Sequence, residues 1–210
     1  MEPERIPKKL LMRLPVYLNY AKSLPESTQN ISATQMAKAL GLGDVMVRKD
    51  LAKVSSGGRR KLGYVRENLI TDIEGFLDVP VCTDAVVIGA GRMGQALLDY
   101  EGFGKSGLNI LAGFDLNETV QYTSSGKPIY PIRQLKEFCR AHQIRIAVIT
   151  VPVGAAQSTC DQAVEAGIDA IWNFASIHLR VPDHVVVQNE NLAASLTALR
   201  MQLRLQEKGA

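Results

Sequence analysis

The apolar positions of the chain follow one rhythm up to about residue 54 and another beyond residue 84. In the first stretch Leu10, Leu14, Tyr17, Leu18, Ala21 and Leu24 recur at helical spacing, with Pro15 either kinking the helix or starting its main part. After a turn at Pro25 to Asn30, Ser32 and Gln35 form an S-x-x-Q capping box ahead of Met36, Ala37 and Leu40, and Gly41 acts as a stop. Gly41-Leu42-Gly43 leads to a candidate cap at Asp44 and a further helix through about Val54. Two short helices joined by a glycine-containing turn predict a helix-turn-helix.

The second rhythm is that of buried strands alternating with helices. Ala85 to Ile88 is a continuous apolar run suited to a parallel strand covered on both faces. Gly89, Gly91 and Gly94 follow in the order G-x-G-x-x-G, and Met93 to Leu98 continues as a helix. Leu108 to Phe114 is a second strand, Gly126-Lys127-Pro128 a turn, and Leu135 to His142 a helix. Ile144 to Val151 is a third strand ended by Pro152, Ala155 to Ala166 a helix stopped by Gly167, and Asp169 to Phe174 another strand. Val185 to Val187 gives a last short one, and a final helix from about Asn191 carries Leu192, Leu196, Leu199 and Leu203 in one stripe. The expected fold is α/β: an N-terminal winged helix-turn-helix domain, residues 1–79, then a Rossmann-like doubly wound parallel sheet, residues 80–188. Residues 189–210 are expected to form a C-terminal helix that docks on its own sheet or reaches a partner subunit.

Chemistry enters at two places. In the glycine loop the first glycine permits a tight turn, the second lets backbone approach a pyrophosphate, and the third lets the helix pack on the strand. Gly89, Ala90, Gly91, Arg92, Met93 and Gly94 are therefore candidate cofactor contacts. Asp115 closes the next strand about 20 residues on, where a carboxylate accepts from a ribose 2′-hydroxyl and repels a 2′-phosphate. No Arg stands in Leu116-Asn117-Glu118, which favours NADH or NAD+ over the phosphorylated forms. Ligands in such sheets lie beyond the carboxyl ends of the strands, which adds Thr150, Val151 and Pro152, and Asn173, Phe174 and Ala175.

The second place is the helix after Gly43. Val47, Leu51 and Val54 share its core stripe, so Lys49 points outward, flanked by Val45, Met46 and Lys53, with Arg48 at the side. Arg suits guanine and Lys suits phosphate or base in a DNA major groove. The stretch Ser55 to Tyr64 is glycine-rich and carries Arg59, Arg60 and Lys61 in succession, a pattern for a hairpin wing with a basic tip. Up to Asp78 the chain holds 13 Lys and Arg against 9 Asp and Glu, and the remainder 11 against 12, so the basic excess belongs to the front module.

Composition narrows the class. The N-terminus Met1-Glu2-Pro3-Glu4-Arg5 has no apolar signal region and no run has transmembrane length, so the cytoplasm is the expected location and no membrane partner is expected. Cys82, Cys139 and Cys160 fit neither a disulfide framework nor a zinc site. His142, His178 and His184 stand in no acid/base constellation, so a small NAD-dependent dehydrogenase is a weak alternative. A CoA-binding domain shares the phosphate-cradling loop, and Asp115 argues against it.

Taken in order, Leu14-Pro15-Val16-Tyr17, Val47-Arg48-Lys49-Asp50-Leu51, Gly63-Tyr64, Gly89 to Gly94, Thr150-Val151-Pro152 and Asn173-Phe174-Ala175 resemble the Rex redox-sensing transcriptional repressors of bacteria over nearly the whole chain. The resemblance implies no enzyme but a homodimer on double-stranded operator DNA, with winged-helix domains, NAD(H)-binding Rossmann-like domains and a C-terminal helix exchanged between subunits. It implies repression of anaerobic or fermentative genes, with NADH causing release. By position, Arg48 and Lys49 correspond to recognition-helix contacts and Arg59, Arg60 and Lys61 to wing contacts. Tyr100, Asn191 and Leu192 fall at the contacts that respond to NADH. Two residues depart from the family pattern, Ser176 where many relatives have Pro and Asn191 where many have Asp.

Overall fold

The computed structural model describes residues 6–59, 62–77, 83–119 and 121–209. Backbone contacts divide the chain into two compact units, Met1–Val81 and Cys82–Ala210.

In the first unit, α1 (Lys8–Ser23) runs through Pro15 without a break. Strand β1 (Asn30–Ile31) follows, then α2 (Ala33–Leu40), α3 (Asp44–Val54), β2 (Tyr64–Val65) and α4 (Arg66–Phe76). Ser32 caps α2 by accepting the Gln35 amide at 3.0 Å, and Gly41 ends it in the left-handed region at φ 65°. The cap of α3 is Gly43; Asp44 is instead the first helical residue, its carboxylate engaged by Thr34 and Arg48. β1 and β2 pair antiparallel, and a bridge between Arg59 and Gly63 closes the hairpin ahead of β2. Gly63 is required there: its φ is 79°, and a Cβ would lie 2.3 Å from the Ile31 carbonyl oxygen. The expected wing thus has its base in the structure, while Arg60 and Lys61, expected at its tip, lie outside the described residues.

The core of this unit joins Leu10, Leu14 and Tyr17 of α1 to Met36, Val47, Leu51, Leu69 and Ile73. One polar network penetrates it. Asp50 of α3 accepts two bonds from the Arg13 guanidinium, at 2.6 and 2.9 Å, and one from the Tyr17 hydroxyl at 2.8 Å. The hydrogen bond to Asp50 raises Arg13 above its ordinary value. Burial, reinforced by the bond to Asp50, pushes the Tyr17 hydroxyl up to about 12 from 10.0. Unfolded chains release that proton near pH 10 while the folded unit keeps it to about 12, so the associated stability is full below pH 10 and is lost as pH rises between those values. Melting temperatures of the full chain are expected to fall more steeply across this window than those of Tyr17→Phe. Equal slopes would contradict the assignment.

The second unit is a six-stranded, all-parallel sheet in the order β5-β4-β3-β6-β7-β8. The elements are β3 (Thr83–Ile88), α5 (Arg92–Leu98), β4 (Leu108–Asp115), β5 (Ile129–Pro131), α6 (Leu135–Ala141), β6 (Ile146–Ile149), α7 (Val153–Glu165), β7 (Ala170–Asn173), β8 (Val186–Asn189) and α8 (Leu192–Gly209). This order places the reversal between β3 and β6, where doubly wound sheets open a crevice. Val86, Ile88, Ala147 and Ile149 pack toward α6 and α7, while Ala85, Val87 and Val148 pack with Leu98 of α5. A bulge in β4 opposite Ala85/Val86 lets Ile110 and Ala112 serve opposite cores. Cys139 and Cys160 are core thiols that burial pushes up to about 11, leaving them protonated and inert at neutral pH; Cys82 lies outside the described residues. No described helix is long and apolar enough to cross a membrane.

Candidate functional site

A cleft of about 480 Å³ opens at the carboxyl ends of β3, β4 and β6. Its walls include Gly89, Gly91, Met93, Asp115, Thr150, Val151 and Pro152, all seven drawn from the sequence-predicted set. The glycine loop is tied down on both flanks. The Gly89 amide donates to the Phe114 carbonyl at 2.8 Å and the Ala90 amide to Asp115 Oδ2 at 2.6 Å, both on β4. From the β6 side the Thr150 hydroxyl donates to the Gly89 carbonyl at 2.6 Å.

Each glycine of the loop has its own reason. Gly89 turns the chain at φ 100° with Val151 against it. At Gly94 a Cβ would stand 1.9 Å from the Gly89 carbonyl oxygen, so α5 can seat on the loop only without a side chain. At Gly91 a Cβ would meet nothing within 4 Å, because this residue faces the open cleft at the start of α5. Helix-start amides favour an anion there. Asp115 uses one oxygen for the Ala90 amide and the other for the Asn117 amide, and each oxygen retains a lone pair for a further donor such as a sugar hydroxyl.

Other predicted contacts lie elsewhere. Ala90 is buried, Arg92 is exposed on the first turn of α5, and Gly94 is sealed under the helix. Asn173, Phe174 and Ala175 do not reach the cleft. Asn173 is fully buried and its amide closes the turn after β7, donating to the carbonyls of Ala175 and Ile177 and to Asn189 Oδ1, and accepting from the Ala175 amide. Phe174 packs on Trp172. Conversely, the cleft gains Ile132, Ala155 and Thr159. Thr159 stands four residues after Ala155 on α7, a polar position on an otherwise small apolar face that helical spacing makes readable. Ile132 opens the short 3₁₀ turn Ile132–Gln134, too short to carry a periodic signal.

On the first unit, Arg48, Lys49 and Lys53 are exposed along α3 and Met46 is half-buried. Arg48 pairs with Asp44 at 2.6 Å, and Asp44 also accepts from the Thr34 hydroxyl at 2.8 Å. A second cavity, of about 570 Å³, is lined by Ser32, Thr34, Arg48, Arg59 and Tyr64, so the start of α2, the side of α3 and the base of the hairpin share one basic, hydroxyl-bearing surface. At Gly58 a Cβ would meet the Tyr64 ring at 2.8 Å, which is how the hairpin packs close enough to bring Arg59 there.

Of the remaining predicted positions, Tyr100 follows α5, and Asn191 and Leu192 stand at the start of α8. Tyr100 is 59% exposed and meets Phe103 edge to face. Asn191 caps α8, its Oδ1 accepting the Ala194 amide at 2.9 Å. Asn performs this as well as Asp does. Leu192, Leu196, Leu199 and Leu203 are all more than half exposed, an apolar stripe without cover among the described residues.

Residues 5–52 match the model described as a putative DNA-binding protein N-terminus, and residues 82–177 match the CoA binding domain model. A redox-sensing transcriptional repressor Rex from Porphyromonas gingivalis is 38% identical over 197 residues, covering 93% of this chain and 90% of the relative. The chain belongs to the Rex family. The Rex of Bacteroides thetaiotaomicron is 36% identical over 205 residues, covering 97% of this chain and 93% of that one. Among solved structures, the Rex-family repressor RSP in complex with β-NAD+ and operator DNA is 30% identical with a TM-score of 0.86, covering 98% of this chain and 95% of that one. RSP bound to β-NADH matches with a TM-score of 0.87. The curated Rex relatives are named as repressors, not as enzymes.

Proposed function

We propose that this protein is a homodimeric transcriptional repressor that holds double-stranded operator DNA and lets go when NADH replaces NAD+. Residues 1–79 would read DNA, 80–188 bind the nucleotide and 189–210 join the subunits, with the cytoplasm as the working compartment. The observation that carries this reading is the likeness, over 98% of this chain, to a Rex repressor solved with β-NAD+ and operator DNA.

The residues present suit each part. Exposed Arg48, Lys49 and Lys53 on α3 and Arg59 on the hairpin base supply base-reading and phosphate-holding cations. The open side of Gly91 would admit a pyrophosphate, and Asp115, beside the loop, would accept from a ribose and repel a 2′-phosphate. The nicotinamide ring supplies the redox state to be sensed. The exposed leucines of α8 give the subunits an apolar face to share, and a two-fold dimer matches an operator with two half-sites. Moving such a switch from nearly all bound to nearly all released needs about 10⁴-fold differential affinity, about a hundredfold from each of two pockets.

Asp115→Ala is expected to weaken NADH about ten- to a hundredfold while weakening NADPH less, since a charge-assisted acceptor is lost and a repulsion removed. Fluorescence titration checks it; an equal loss for both nucleotides would contradict the ribose role. The match to the CoA binding domain model motivates the alternative that CoA, not NADH, is the effector. Titration with CoA decides, and the carboxylate of Asp115 beside the loop leads us to expect no binding.

A further inference from the structure

An aromatic ladder crosses the α5 side of the sheet and ends where α8 begins. Tyr100 meets Phe103 with ring centroids 4.9 Å apart, and Phe103 meets Trp172 at 5.6 Å, both edge to face. Phe103 lies in the 3₁₀ turn Glu101–Ser106, which follows α5 almost directly, and α5 itself starts at the glycine loop. Trp172, the only tryptophan of the chain, belongs to β7. Its indole N–H donates to Glu190 Oε1 at 2.9 Å. Beside it, Asn173 Nδ2 donates to Asn189 Oδ1 at 2.8 Å, and the Glu190 amide donates to the Asn173 carbonyl at 2.8 Å. Asn191 then caps α8, whose residues 192–207 are all exposed. The direction in which α8 leaves the sheet therefore rests on residues 189–191 and on what holds them to the end of β7.

We propose that Trp172 and Glu190 are positioning residues that couple the Tyr100–Phe103 turn to the departure angle of α8. This goes beyond the proposed function while resting on it, because it names the bond that links the turn after the nucleotide helix to the dimer-forming helix. Phe103 and Trp172 are half-buried against the sheet core and meet in a preferred edge-to-face geometry, so a displacement of Phe103 is passed to the indole. The indole has a single proton to give, and here it gives it to a half-buried carboxylate. Without that bond the α8 root keeps its cap and the β7–β8 ladder but loses its tie to the rings.

The test is the ratio of operator affinities without and with NADH, measured by anisotropy on full-length protein at one salt concentration. Trp172→Phe keeps a ring and loses the donor. Glu190→Ala loses the acceptor, whereas Glu190→Gln keeps Oε1. The ratio is expected to shrink about five- to tenfold in Trp172→Phe and Glu190→Ala and to stay within about twofold of the parent in Glu190→Gln. Operator affinity of the nucleotide-free protein is expected to change little. Thermal melts identify folded variants, and Glu190→Ala alone suffices where Trp172→Phe is unstable. An unchanged ratio in Glu190→Ala, with or without a loss of melting temperature, overturns the proposal and leaves the repressor reading standing. A parent protein whose operator affinity ignores NADH overturns that reading, and this proposal with it.

Discussion

Asp50→Ala is expected to destabilise the N-terminal unit by about 3 kcal/mol or more, a large share of the 5–15 kcal/mol typical of a domain. The substitution strands two groups at once. Arg13 loses both of its carboxylate bonds in a largely buried setting, and the hydroxyl of the fully buried Tyr17 loses its acceptor. Asp50→Asn keeps an acceptor for Tyr17 and is expected to fall between parent and alanine variant. Operator affinity falls with stability, because Asp50 sits on the same helix as Arg48 and Lys49 and ties its inner face to α1. Urea denaturation followed by circular dichroism measures the loss. A cost under about 1 kcal/mol would show that the network is an exposed-type pair of little weight.

Gly94→Ala is expected to abolish nucleotide binding, with affinity down about a hundredfold or more, and to lower stability by about 1–3 kcal/mol. The added methyl group meets the Gly89 carbonyl oxygen at 1.9 Å and the Thr150 hydroxyl at 2.9 Å. Backbone has no rotamer with which to yield, so α5 must lift off the loop and its first-turn amides move out of register with the cleft. Gly91→Ala is the informative contrast. Its methyl group enters open space, so the fold is kept and only ligand approach is hindered. NADH titration together with thermal melting separates the two. Equal melting temperatures for parent and Gly94→Ala would show that the loop is not held as described.

Most of the scaffold was legible because its signals are local. The helical spacing of Leu10, Leu14 and Tyr17, the Ser32 cap, the Gly41 stop and the run Val86 to Ile88 all form the elements expected of them. What escaped depends on distant partners. β1 and β2 are two residues each and exist only because Asn30–Ile31 meets Tyr64–Val65. α4 begins at Arg66 with no side-chain cap, and Leu69 and Ile73 at helical spacing are too sparse a local signal to announce it. β5 is three residues at a sheet edge. At the site, the glycine loop, Asp115 and Thr150 to Pro152 converge because a doubly wound sheet brings successive strand ends together. Asn173 stands outside the cleft walls for a side-chain reason: a buried amide next to a turn bonds the turn's own carbonyls, which strand position alone does not reveal.

The most direct test of the central claim is fluorescence anisotropy of a labelled palindromic operator pool with the purified full-length protein at stated salt, adding NADH and NAD+ in separate titrations. The repressor reading predicts saturable binding that NADH abolishes and NAD+ preserves. DNA binding indifferent to both nucleotides would contradict it and leave the cleft to another ligand.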